Sequence, residues 1–159
     1  MHLDHILRGA HSHLEPKATL AALPSDLALL KPAASPHSVA DIVAHMAFWQ
    51  QWFLDRCDGL PIPPPAHAAL GWPAVQSGEW HDVLARFEAG LDRALSLAAD
   101  ESRVSKPLSP ALEPDFLADY TTADTLLHIA LHNAHHLGQV TTLRQQLGAW
   151  PPPAGSWTW

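Results

Sequence analysis

The residues best placed to do chemistry lie in LLHIALHNAHHLGQV, residues 126 to 140, where His132 and His136 stand four apart inside a helical apolar pattern. Two imidazoles at i and i+4 share one helix face, roughly 5 to 6 Å apart at Cβ, close enough to bind one metal ion. They are in register with Ile129, Val140, Leu143 and Leu147, so the spacing gives both rings core positions. Imidazoles buried without partners are unfavourable, so their ring nitrogens need a metal, buried hydrogen bonds or water. A third ligand is available in His45, which flanks the stripe Ile42, Met46, Trp49 and Phe53 of another helical segment. His128 and His135 are rivals for a ligand or pocket role. His2, His5, His11, His13, His37, His67 and His81 have no ligand-like spacing with the pair and read as surface or capping residues. His11 and His13 reach the pocket mouth only if the first helix is broken nearby.

Three neutral histidines leave a divalent ion open positions for water or substrate, the arrangement of a reactive rather than a structural site. Zinc or nickel suits imidazole best, and the ligands alone do not choose between them. Asp41 and Gln139, each one turn from a histidine, could orient the ligands, and either could equally be capping or solvated. A zinc protease of the H-E-x-x-H kind is excluded, because Asn133 stands where the general base would be and cannot accept a proton. There is no Gly-rich phosphate loop, no G-x-S-x-G elbow and no cysteine pair. The lone Cys57 reads as a packing residue. No general base stands out.

These side chains need helices to hold them. Ser38 with Asp41 resembles a capping box and opens a helix of about twenty residues, SVADIVAHMAFWQQWFLDRC. Trp80, Leu84, Phe87, Leu91, Ala94 and Ala98 repeat at 4, 3, 4, 3, 4 and form the seam of a second long helix. Thr121 with Asp124 opens the last, which ends at Gly148. Residues 2 to 23 fit a first helix with a doubtful interval at Gly9 to Pro16, where Pro16 could instead open a second short helix, since a missing N–H costs nothing at a first helical position. Residues 24 to 37 read as a connection with a helical turn in SDLALL, and 100 to 120 as another. Residues 58 to 78 form a long Pro-rich loop, a candidate rim or lid. The tail PPPAGSWTW is expected on the surface of the bundle. The expectation is an all-α fold, one domain over residues 1–159, a four-helix bundle with long Pro-rich interhelix loops. Antiparallel packing is the economical arrangement, but the connections are long enough for crossovers.

Composition narrows the function classes. An apolar share of 47% and a charged share of 16% describe a globular chain of 159 residues, long enough to bury a core without staples. A net charge of -7 leaves no broad basic face, so nucleic-acid binding is disfavoured. No run of about 18 apolar residues occurs, and the start lacks the apolar region of a signal peptide. With one cysteine and no disulfide possible, a soluble cytoplasmic protein without a membrane partner is expected.

SVADIVAHMAFW near the front and HNAHHLGQVTTLR near the end, with PHS before the second helix and G-x-W-P-P after the last, resemble the DinB/YfiT-like superfamily of bacterial four-helix proteins. The resemblance implies a divalent metal held by His45, His132 and His136, followed by the family's Gly138 and Gln139. It implies either a metal-dependent enzyme acting on small molecules (a transferase of a low-molecular-weight thiol, an isomerase or a hydrolase) or a non-catalytic, stress-related protein binding metal or a small ligand. A homodimer is also among the family's suggestions.

Overall fold

The computed structural model describes residues 2–112 and 117–157. Three long helices dominate: α4 (Val39–Cys57), α5 (Trp80–Ala98) and α7 (Thr122–Gln146). Shorter ones are α1 (Leu3–Leu7), α2 (Pro16–Leu20), α3 (Ser25–Leu29) and α6 (Glu101–Val104), with a 3-10 turn at Ala68–Gly71. No strand occurs among the described residues, only an isolated bridge between Pro107 and Thr121. No helix among them is long and apolar enough to cross a membrane.

Both expected capping boxes form. Ser38 Oγ accepts from the Asp41 amide at 3.1 Å while Asp41 Oδ2 accepts from the Ser38 amide at 2.9 Å. Thr121 and Asp124 repeat the exchange at 3.2 and 2.9 Å. Each box satisfies backbone donors that a helix start leaves free, which sets where α4 and α7 begin.

The N-terminal stretch breaks within the doubtful interval, and the alternative of a second short helix opening at Pro16 is the one adopted. Gly9, Ala10 and His11 take φ values of 100°, 46° and 63°, so α1 ends in a left-handed turn closed by the Ala10 amide on the His5 carbonyl at 2.8 Å. The chain resumes at Pro16, the first residue of α2, where the missing N–H leaves no helical bond unmade. The turn in SDLALL is α3, and Leu3, Leu7, Leu20 and Leu23 are all buried. Two short helices and the turn before α3 thus carry the buried leucines, while Ala10, another position of the expected stripe, is exposed.

Two apolar clusters fill the interior, one around Val39, Val43, Met46, Trp80, Phe87 and Val140, the other around Phe53, Leu54, Leu91, Leu126 and Ile129. The first takes the N-terminal halves of α4 and α5 and the C-terminal half of α7, and the second takes the opposite halves. Thus α4 and α5 run parallel and α7 runs against both. Side chains agree: Gln50 Nε2 donates to the Phe87 carbonyl at 2.8 Å and, further along both helices, Arg93 pairs with Asp55 at 2.9 Å. The crossover that the long connections left open is the one adopted. Its consequence for the site is direct, since residues 58 to 79 must travel back along α4.

Candidate metal centre

His45, on α4, and His132 and His136, on α7, meet where the two apolar clusters adjoin. Their ligand-type nitrogens all lie within 4.8 Å of one another, and His45 Nε2 is 3.2 Å from His132 Nε2. Two imidazole nitrogens bound at about 2.1 Å to one tetrahedral ion stand roughly 3.4 Å apart, so this spacing suits a shared metal. The antiparallel pairing of α4 and α7 creates the cluster by facing one histidine with an i, i+4 pair.

The remaining ring nitrogens are pinned in the sense that a metal requires. His45 Nδ1 donates to the Gly71 carbonyl at 2.6 Å, because a carbonyl oxygen can only accept. His136 Nδ1 donates to Gln139 Oε1 at 2.7 Å. Each neutral ring then has its lone pair on Nε2. In the metal-free chain the His45–His132 contact is an ordinary hydrogen bond, with His132 Nε2 donating. Burial pushes the His132 imidazole down to about 3, and burial likewise holds His45 and His136 below the usual histidine range. All three rings are neutral at pH 7, the form that ligates.

The crossover supplies an enclosure that spacing along the sequence does not announce. Gly71 lies against the Trp49 indole so closely that a Cβ would meet its Nε1 at 2.7 Å, so only glycine lets the chain pass low enough to reach His45. The next residue, Trp72, stacks on His45 with ring centroids 3.7 Å apart and planes 12° apart. His37 stacks on the opposite face of this sandwich, 3.9 Å from Trp72. His37, expected as a surface residue, and Trp72, not singled out, are therefore the missed members of the site. A tryptophan directly after glycine in a long loop was the available signal. Through these two residues the 58 to 78 loop lies against His45.

The other candidates sort clearly. Asp41 serves the cap of α4 and lies 3.8 Å from Lys31, whereas Gln139 holds His136. His128 lies one turn before His132 but packs on Phe53, centroids 4.5 Å apart, with Tyr120 Oη 3.4 Å from its Nδ1. His135 is exposed and touches only the edge of the cluster, 4.9 Å from the His136 ring. Both line a 500 Å³ cleft together with His132, Tyr120 and Leu131. His11 and His13 line a different cavity, with His5, Arg8 and Trp157, even though the first helix is broken beside them. Cys57 is half-buried, and burial pushes its thiol up to about 11, consistent with packing. Asn133, excluded as a base, is buried and donates to Gln50 Oε1 at 3.0 Å, extending the relay to Phe87.

The family model described as the DinB superfamily matches residues 17–140. No curated protein matches, and no solved structure matches.

Proposed function

The chain belongs to the DinB superfamily, and from that premise we propose that His45, His132 and His136 hold one divalent ion, zinc or nickel, in a metal-dependent enzyme acting on small molecules. The observation that carries the reading is the paired tautomer control. Gly71 and Gln139 each accept a hydrogen bond from an Nδ1–H, leaving His45 and His136 with Nε2 free to ligate at the cluster. A bound divalent ion would supply Lewis acidity, activating a water or a thiol at neutral pH. The chain's own residues do the rest: Trp72 shields one side of the ligand set, and the cleft beside His132 gives a substrate room. Transfer of a low-molecular-weight thiol onto an electrophile is the first reaction to test, with isomerisation and hydrolysis next. In this reading residues 1–159 make one domain, a four-helix bundle whose first position is filled by α1 to α3, present in solution as a homodimer. The second reading is a non-catalytic metal or small-ligand binder, favoured by the indole lid over His45, which narrows access to the ligands.

Metal content of untagged protein tests the site. His45→Ala, His132→Ala and His136→Ala are each expected to lose the ion by dialysis against dilute chelator, while wild-type chain keeps about one equivalent. Full retention in all three variants removes the reading. With the site intact, turnover of a thiol and an electrophile panel that stops on chelation supports the enzyme, and its absence across the panel supports the binder.

A further inference from the structure

A large cavity lies away from the histidines. It measures 710 Å³ and lies between the parallel helices α4 and α5, roofed by the Pro-rich crossover. Volumes of this size suit a drug-sized organic molecule. The space exists because the two helices face each other there with Ala44, Ala47, Ala89 and Gly90, where larger side chains would close it. Phe48 and Trp52 supply aromatic wall, and Trp52 Nε1 donates to the Pro63 carbonyl at 3.0 Å, fixing the roof to the helix. The surface lining the cavity is predominantly apolar, with three charged residues.

The charges there do not cancel. Arg93 is bound by Asp55 at 2.9 Å and by Asp58 at 2.5 Å, Asp58 is shared with Arg103 at 2.7 Å, and Asp55 also accepts from Gln51, so the two guanidinium groups and two carboxylates of that cluster balance one another. Arg86, on the same wall, is exposed and forms no hydrogen bond or ion pair within the described structure. The cleft thus presents an apolar body site beside one uncompensated guanidinium, in a chain whose net charge is -7. A locally cationic, aromatic-lined cleft on an acidic protein selects for an anion with an apolar body, since guanidinium pairs with a carboxylate through two parallel bonds.

We propose that the α4–α5 cleft is a second ligand site, for a small aromatic or aliphatic carboxylate, with its apolar part against Phe48 and Trp52 and its carboxylate on Arg86. The site is independent of the metal reading. It is nonetheless joined to the histidines by one piece of chain: Pro73 lines the cleft, and its neighbours Trp72 and Gly71 touch His45.

The test is isothermal titration calorimetry with 2-naphthoate and its uncharged isostere 2-naphthamide, on both chelator-treated and zinc-loaded protein. The expected result is one naphthoate per chain with a dissociation constant on the order of 0.1 mM for a probe of this size. The amide should bind about tenfold more weakly. Arg86→Gln should weaken naphthoate about tenfold and leave the amide unchanged. Ala89→Trp, a filling change at an exposed position that spares the core, should abolish both. Absence of binding up to several millimolar overturns the proposal. So does equal binding of acid and amide, or binding that survives Ala89→Trp. Naphthoate binding that needs zinc and ignores Arg86→Gln places the anion on the metal and also overturns it. Sedimentation of a dimer that Ala89→Trp dissociates would make a second copy the occupant instead.

Discussion

The rings of His45, His132 and His136 have centroids 4.5 to 5.0 Å apart, while those of His2 and His5 stand 5.7 Å apart and those of His5 and His11 6.3 Å apart. The first set rides on helices of 19 and 25 residues. The second rides on a five-residue helix and the left-handed turn after it. In the first set, two rings are oriented by acceptors outside the cluster, the Gly71 carbonyl and Gln139. Near the N-terminus, His13 Nδ1 meets only the carbonyl of its own neighbour, Leu14, at 2.8 Å. The difference teaches that histidine density does not make a site. What distinguishes the centre is that long packed helices fix the Cα positions and second partners fix the rings, so little conformational entropy is left to lose when a ligand arrives.

The largest effect tests where the anchored part of the N-terminal segment begins. Arg144 of α7 is 1% exposed, and its guanidinium donates to the carbonyls of Thr19, Ala21 and Ala149. Arg144→Ala leaves those carbonyls short of donors and releases α2 from α7, with an expected loss of about 3 kcal/mol in urea denaturation. Arg8, on the other side of the left-handed turn, meets Glu15 only at 3.7 Å with both side chains more than half exposed. Arg8→Ala should change stability by less than about 0.5 kcal/mol. Equal losses would mean that the two regions are anchored alike.

Next in size is the ring-pinning contact itself. Gln139→Leu removes the acceptor for His136 Nδ1 and should reduce zinc affinity 10- to 100-fold, as loss of such partners typically does, measured by competition with a chromophoric chelator. His5→Ala should leave the same affinity unchanged. If Gln139→Leu is also silent, orientation by the outer partner is not what separates the two groups of histidines.

The sequence shows those differences unevenly. Ser38 with Asp41 and Thr121 with Asp124 are local exchanges of hydrogen bonds, legible because the two members of each pair stand three residues apart in the chain. The stripes around Ile42 and Ile129 are equally local, and they place His45, His132 and His136 inward without any knowledge of their partners. Gln139 was legible for the same reason, as a residue one turn from His136. By contrast, Gly9 and Pro16 mark the interval where α1 gives way to α2, but the positive φ of Ala10 inside it has no such mark, since its Cβ favours negative φ. Trp72 reaches His45, and meets His37, through a crossover whose path depends on α4 and α5 being parallel. That relation is settled by packing across the whole molecule, not by any periodicity.

The smallest effect concerns proton linkage in the metal-stripped chain. His132 is held neutral in the folded state, with its value pushed from 6.5 down to about 3 by burial, the neighbouring histidines adding to the effect. Between those values the unfolded chain binds the proton and the folded chain does not, so lowering the pH favours unfolding. The stability attached to His132 is therefore complete above about pH 6.5 and drains away as the pH falls toward about 3. One such proton sets a ceiling of about 1.4 kcal/mol per pH unit, and the partly exposed edge of the ring keeps the real slope below it. Urea midpoints of the chelator-treated wild type should thus decline from pH 7 to pH 5. His132→Leu fills the same helical position without a titrating group and should show the shallower decline. Loading zinc should flatten the wild-type profile near neutral pH and then steepen it where protons compete for the three nitrogens. Matching profiles for wild type and His132→Leu in chelator would mean that the buried ring takes up its proton without opening the fold, and the contrast between pinned and unpinned histidines would lose its energetic basis.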